Sequence, residues 1–291
     1  MNLSIITGAI ELGLIYAIMS LGIYVSFRVL NIPDLSVDGS FTLGCCVSAV
    51  LCMNGQAALG IIFAFLAGAI AGIVTGFLHT KLKIQVILAG ILTMSALYSV
   101  NLRIMDGKPN LPLAQYETIF TKITDTPYMS LLLIILLVLI TLIILYLFMH
   151  SSLGLSIRAT GDNEAMVKSS SINTDAMKMI GLAIANALVA LSGGILAQYQ
   201  QFADVSGGIG MMVIGLASII IGEAVFRNHS LKVSLCSAVF GSVIYRTLLT
   251  IALMTWLSPS DLKLFSAVLV VVAISLPSIK ETYQKVRKHH A

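Results

Sequence analysis

Long apolar runs separated by short polar stretches make up almost the whole chain. A window of about 20 residues, the length of helix that crosses a hydrocarbon core, picks out nine runs. They lie near 5–27, 40–54, 57–78, 86–103, 129–149, 178–200, 208–226, 231–256 and 263–279. The alternating ten-residue pattern of a membrane β-barrel is absent. Inside lipid every backbone N–H and C=O needs an internal partner, which a helix supplies within its own segment. The pattern therefore predicts an all-α polytopic membrane protein of about nine transmembrane helices. The second run is short for a full crossing.

The halves of the chain resemble each other. The first run leads into Asn31-Ile-Pro-Asp-Leu-Ser-Val-Asp-Gly39, and the sixth into Gln201-Phe-Ala-Asp-Val-Ser-Gly-Gly208. Asp34 aligns with Asp204 and Ser36 with Ser206 at a common offset of 170 residues. Four spans in each half and a single connecting span give the halves opposite orientations, an inverted repeat of the kind found in transporters. The chain thus divides into a first repeat (5–127), a connector helix (128–150), a cytoplasmic segment (151–177), a second repeat (178–279) and a cytoplasmic tail (280–291). Chance likeness between apolar helices is the competing explanation, and the paired D-x-S elements argue against it. Such breaks free backbone groups that must line a cavity or find protein partners. Asp34, Ser36, Asp38, Asp204 and Ser206 are therefore candidates for lining a solute path. The plainer alternative is that the aspartates cap the helices that follow them.

Composition agrees with the pattern. Of 291 residues 58% are hydrophobic and 10% charged, far below the roughly 25% charge of a soluble domain. The net charge of +4 is spread thinly and does not suggest a nucleic-acid partner. Cys45, Cys46, Cys52 and Cys236 all fall in apolar runs and fit neither zinc spacing nor a disulfide framework. They read as small packing residues. With 150–178 placed in the cytoplasm and the spans threaded alternately, twelve Lys and Arg lie inside and four outside. That asymmetry puts the N-terminus outside and the C-terminus in the cytoplasm.

Three charges lie within apolar runs, where each costs at least about 2.5 kcal/mol at the bilayer centre. Arg246 is placed to pair with Glu223 on the neighbouring span, whereas Glu11 has no obvious partner. All three are path candidates, with solvation at an interface as the alternative for the two glutamates. The third run carries Gly60, Ala64, Gly68, Gly72 and Gly76, a small residue every fourth position. Such a stripe lets another helix approach closely.

The polar segment 151–178 is periodic, with Ala159, Ala165, Met166 and Ile172 set among Asp162, Glu164, Lys168 and Asp175. It predicts a short helix at the cytoplasmic face, with Asp162 as the cap candidate and Asn163-Glu164 in the first turn. Within it, RATGDNEAMVKSSSINTDAMK resembles the coupling segment of ABC importer permeases of the branched-chain amino acid/ribose permease superfamily. PDLSVDGSF resembles that superfamily's broken second helix. The strings HTKLKI, LAGILTMSALYSVNLRIM, KPNLPL and LAQYQQFADVSGGIGMMVIGLASIIIGEA are similar to a subgroup paired with binding proteins for aromatic amino acids.

The resemblance implies a permease in the bacterial cytoplasmic membrane, present as two copies, with a separate ABC ATPase and an extracytoplasmic solute-binding protein. It implies an amino acid-like solute, aromatic or branched-chain. Arg158, Gly161, Asp162, Asn163, Glu164, Lys168, Asn173 and Asp175 would then meet the ATPase. ATP and Mg would be bound by that partner, no cofactor by this chain, which has no G-x-x-x-x-G-K-[ST] loop. The chain is accordingly read as a transport subunit and not an enzyme. One departure stands out: the superfamily's glycine before I-N-T-D is Ser171 here. An ion-gradient-driven secondary transporter is the alternative the residues leave open.

Overall fold

The structure, a computed structural model, describes residues 3–123, 127–226, 230–255, 264, 266–268 and 271. The expected ninth span, 263–279, lies almost wholly outside the described residues, and the tail 280–291 entirely so. The described chain is mainly helical: α1 Leu3–Ile23, a π-helical turn Tyr24–Val29, α2 Val37–Met53, α3 Ala57–Thr80, α4 Val86–Ile104, α5 Ile119–Ile123, α6 Pro127–His150, α7 Ser152–Asp162, α8 Glu164–Ser169, α9 Thr174–Gln200, α10 Met211–Val225 and α11 Leu231–Thr255. Six of these are long and apolar enough to cross a membrane, namely α1 with its π turn, α3, α4, α6, α9 and α11. The apolar helices α2 and α10 are shorter, and each follows an irregular stretch, 30–36 and 201–210.

Helix α9 forms the centre, with 78% of its apolar window buried. Small residues make that possible, because they let helix backbones approach with no side chain between them. A Cβ on Gly68 would strike the Asn186 carbonyl, one on Gly72 the Leu182 carbonyl, and one on Gly76 would lie 2.9 Å from the Met179 Cα. The stripe on α3 is thus seated on α9, with Gly60 at its end facing Ser48 of α2. On its other side α9 offers Gly193 and Gly194, whose carbonyls accept from Cys45 Sγ at 3.1 Å and Ser48 Oγ at 3.0 Å of α2. The four cysteines are free thiols, three of them buried.

One element lies outside the helical expectation. Residues Asn110–Pro112 (β1) and Phe202–Asp204 (β2) form an antiparallel ribbon, with Asn110 opposite Asp204. Leu113 N and Val205 N extend it, donating to Gln201 O (2.8 Å) and Pro109 O (3.0 Å). The ribbon straps the loop after α4 onto the second irregular stretch and satisfies backbone groups that the break leaves without helical partners.

Candidate translocation and coupling sites

The first break begins at Asn31, whose φ of +60° reverses the chain after the π turn. Asp34 then folds the backbone into an Asx turn, its Oδ1 accepting from Ser36 N at 2.8 Å. Its other oxygen, Oδ2, accepts from Asn186 Nδ2 of α9 at 2.7 Å, and Ser36 Oγ donates to Asn186 Oδ1 at 3.2 Å. Asp34, Ser36 and Asn186 are each at most 1% exposed. A buried carboxylate is tolerable only when its oxygens are hydrogen-bonded, and both are. Asp34 therefore locks the break onto α9.

The second break repeats the local geometry. Gln201 has φ +57°, and Asp204 Oδ1 accepts from Ser206 N at 2.8 Å. Neither Asp34 nor Asp204 caps the helix that follows, contrary to the plainer expectation. Asp38 does cap a helix, but not its own. From the first turn of α2 its Oδ2 accepts from Gly210 N at 2.8 Å and its Oδ1 from Met212 N at 2.9 Å. The carboxylate sits at the N-terminus of α10, where unpaired N–H groups and the helix dipole favour negative charge. The N-termini of the two short helices are joined by this one side chain.

Beside the second break lies a cleft of about 200 Å³, bounded by Tyr16 of α1, Phe41 and Cys45 of α2, Leu196 and Gln200 of α9, and Asp204 of β2. Of the five path candidates in the breaks, only Asp204 lines it. Asp34 and Ser36 are sealed in the packing and Asp38 is engaged with α10, whereas Ser206 is exposed.

The intramembrane charges are arranged differently from the expectation. Glu223 pairs with Arg28 of the π turn and not with Arg246. Gly222, next to Glu223, lies against Ser237 of α11, so Arg246, about two and a half turns further along that helix, is out of reach. Arg246 instead lies over the Tyr16 ring, 5.6 Å from its centroid, a cation–π arrangement. Glu11, expected to lack a partner, accepts from Ser130 Oγ of α6 at 2.7 Å and Tyr199 Oη of α9 at 2.6 Å. It ties three helices together.

The polar segment forms two helices, not one. Ser151 caps α7, accepting from Gly154 N at 3.2 Å. Asp162 ends α7, and the cap of α8 is Asn163, with φ −154° and its Oδ1 accepting from Met166 N at 3.1 Å. The expected cap is thus displaced by one residue, because Asn163 alone leaves the helical region. Asn173 caps α9 by accepting from Ala176 N at 3.1 Å. Between them Ser171 takes φ +61°. The turn for which the superfamily uses glycine is kept by serine, at a cost of about 1 kcal/mol.

Glu164 staples α8 to α9. Its Oε1 accepts from Lys168 Nζ at 2.8 Å and its Oε2 from Lys178 Nζ at 2.7 Å. Hydrogen bonds from these two ammonium groups hold its carboxyl at about 2, below the usual 4.5. The same pairing raises the Lys168 ammonium above its ordinary value. Asp175 pairs with Lys81 at the end of α3, 3.4 Å away.

Helix α7 touches the transmembrane part at the π turn. A Cβ on Gly161 would collide with the Val29 carbonyl, and Leu30 packs between Gly161 and Gly181 of α9. Arg158 and Asp162 border a polar cavity of about 130 Å³ with Tyr24, Arg28 and Ser234. The candidates of the polar segment therefore separate: Gly161 faces the bundle at the π turn, Arg158 and the exposed Asp162 border the cavity beside it, while Asn163, Glu164, Lys168, Asn173 and Asp175 build the segment itself.

Comparison with known proteins adds to this geometry. Residues 5–275 match the sequence profile of the branched-chain amino acid transport system permease component. The chain belongs to that family. It is 38% identical over 273 residues to the tyrosine transport system permease protein of Clostridioides difficile, covering 94% of this chain and 91% of the relative. It is 36% identical over 282 residues to the uncharacterized protein RP368 of Rickettsia prowazekii, covering 96% and 99%. The autoinducer 2 import system permease protein LsrC of Yersinia pseudotuberculosis is 27% identical over 197 residues, 65% of this chain and 54% of that one. Among solved structures, PsaBC from Streptococcus pneumoniae in complex with Fab superposes with a TM-score of 0.53 at 15% identity, over 93% of this chain and 89% of that one. That likeness concerns the fold. The family is the ABC importer permease superfamily the sequence resembles, so the protein is a multi-pass permease component and not itself an enzyme.

Proposed function

We propose that the chain forms, as one of two copies, the membrane path of an ATP-driven importer in the bacterial cytoplasmic membrane, with its C-terminus in the cytoplasm. The solute is amino acid-like, aromatic or branched-chain. A separate ABC ATPase binds ATP and Mg, and an extracytoplasmic binding protein delivers the solute. The observation that carries the reading is the seating of α7. Its Gly161 abuts the Val29 carbonyl of a π turn, and that turn leads directly into the break locked by Asp34. π turns are uncommon and concentrate at functional sites. A push on α7 from a cytoplasmic motor reaches α2 through this turn, and α10 through Asp38.

The reading includes an inverted repeat, since alternating access is largely the rocking of one repeat against the other, and several relations at a 170-residue offset support it. The left-handed residues Asn31 and Gln201 stand 170 residues apart, as do the Asx turns at Asp34 and Asp204. Helix α1 packs on α11 as α9 packs on α3, and α2 on α3 as α10 on α11. At the α1–α9 crossing, Ser192 Oγ donates to Ile15 O at 2.8 Å. At the equivalent point 170 residues earlier, Gly22 lies against the Ala185 carbonyl.

Isolation of the chain with its ATPase tests the proposal. The complex is expected to hydrolyse ATP faster when the loaded binding protein is added. Asp162→Arg, at an exposed helix end, is expected to weaken ATPase association while leaving the bundle folded. Full assembly of that variant, with wild-type stimulation, would count against α7 as the docking element.

A further inference from the structure

The 170-residue offset relates more than the two breaks. Asn186, which fills Asp34 Oδ2, stands 170 residues after Tyr16. At the first break that position carries a short amide, and the site is closed: Asp34 has both oxygens bonded, and Asn186 donates also to Leu182 O at 3.1 Å. At the second break the equivalent pair is Asp204 and Tyr16. There the Asx turn occupies Oδ1 of Asp204, while Oδ2 has no hydrogen-bond partner among the described residues. Tyr16, only 5% exposed, lines the cleft, and its hydroxyl also lacks a hydrogen-bond partner among the described residues. The cleft lies where the first half has its lock.

We infer that this cleft is a transit site for a zwitterionic solute with an aromatic side chain, and that Asp204 receives its ammonium. The inference rests on the importer reading only for the direction in which solute moves. A carboxylate with one free oxygen is a strong, charge-assisted acceptor for an ammonium donor. Phe41, whose ring stands 6.4 Å from that of Tyr16, and Phe202 of β2 supply apolar walls for a side-chain ring. The Arg246 guanidinium lies 5.6 Å from the centroid of the Tyr16 ring and, without lining the cleft, puts positive charge next to that wall, which suits the solute carboxylate. The Tyr16 hydroxyl and the Gln200 amide are further polar groups on the cleft. Asn186 and Asp34 show what the same geometry does when nothing is to be admitted.

Equilibrium dialysis of the full-length chain in lipid nanodiscs, without ATPase or binding protein, provides the test. The probes are L-tyrosine and 3-(4-hydroxyphenyl)propionate, which lacks the ammonium. Asp204→Asn keeps an acceptor for the Ser206 N–H and removes the charge. It is expected to weaken L-tyrosine binding about tenfold, the size of one hydrogen bond to a charged group, and to leave the propionate unchanged. A damaged fold would weaken both. Phe202→Ala, at a residue 47% exposed, is expected to weaken both ligands while the chain stays folded. Equal L-tyrosine affinity in wild type and Asp204→Asn, or no binding to the wild type, overturns the inference. Discriminating binding without ATP-dependent uptake by the assembled system would leave the cleft standing and contradict the importer reading instead.

Discussion

The Asp38 carboxylate accepts from Gly210 N at 2.8 Å across the interface between the two halves of the chain. The residue belongs to the first turn of α2, yet the helix it caps is α10. The two short helices are thereby tied together at their N-termini. Asp38→Ala is expected to cost about 2 kcal/mol, the upper range for loss of an N-terminal cap, because two backbone N–H groups lose a charged acceptor. Asp38→Asn, which keeps one oxygen, is expected to cost about half that. Thermal unfolding in detergent compares them.

Gly161 tests the link between α7 and the π turn. A methyl group there meets the Val29 carbonyl, backbone that cannot swing aside as a side chain can. Overpacking of this kind costs about 1–3 kcal/mol and moves α7 off its seat. ATP hydrolysis by the assembled complex is expected to persist in Gly161→Ala while uptake falls about tenfold, a change equivalent to about 1.4 kcal/mol. Hydrolysis and uptake that both stay at wild-type levels would show that the contact does not transmit movement.

The Glu164 staple carries a pH dependence with a definite sign. Its folded value of about 2 lies below the ordinary 4.5, so the carboxylate stabilises the folded segment above about pH 4.5, and that contribution is lost as pH falls towards 2. The side chain is 35% exposed, and solvent screening limits the contribution to about 1 kcal/mol or less. Amide hydrogen exchange in α8 is expected to accelerate across that acid window in the wild type. In Glu164→Gln it is expected to be faster at neutral pH and insensitive to the window. A wild-type profile flat down to pH 2 would contradict the assignment.

The sequence disclosed the apolar helices, the packing stripe on α3 and the paired D-x-S elements, because each depends on spacing along one segment. Relations between segments were hidden. Asn186 and Tyr16 belong to no motif and sit among apolar neighbours, so only the 170-residue offset, applied to residues facing the breaks, could have picked them out. Glu11 gained Ser130 and Tyr199 from spans more than a hundred residues away. Glu223 found Arg28 because the end of α1 approaches α10, where linear order had favoured Arg246. The π turn was illegible for a different reason: YVSFRV continues the apolar helix in composition, and its widening accompanies the left-handed Asn31 that must follow. The two-helix form of the polar segment turned on one residue, since Asp162 and Asn163 are both competent caps and only the backbone decides between them.

This permease is expected to move solute only when a separate ATPase drives it. Uptake of radiolabelled L-tyrosine into proteoliposomes measures this directly, with the chain reconstituted alone or with its ATPase and binding protein. Uptake is expected to require all three proteins and ATP and to be unaffected by collapse of ion gradients. Uptake by the chain alone, driven by an ion gradient without ATP, would contradict this.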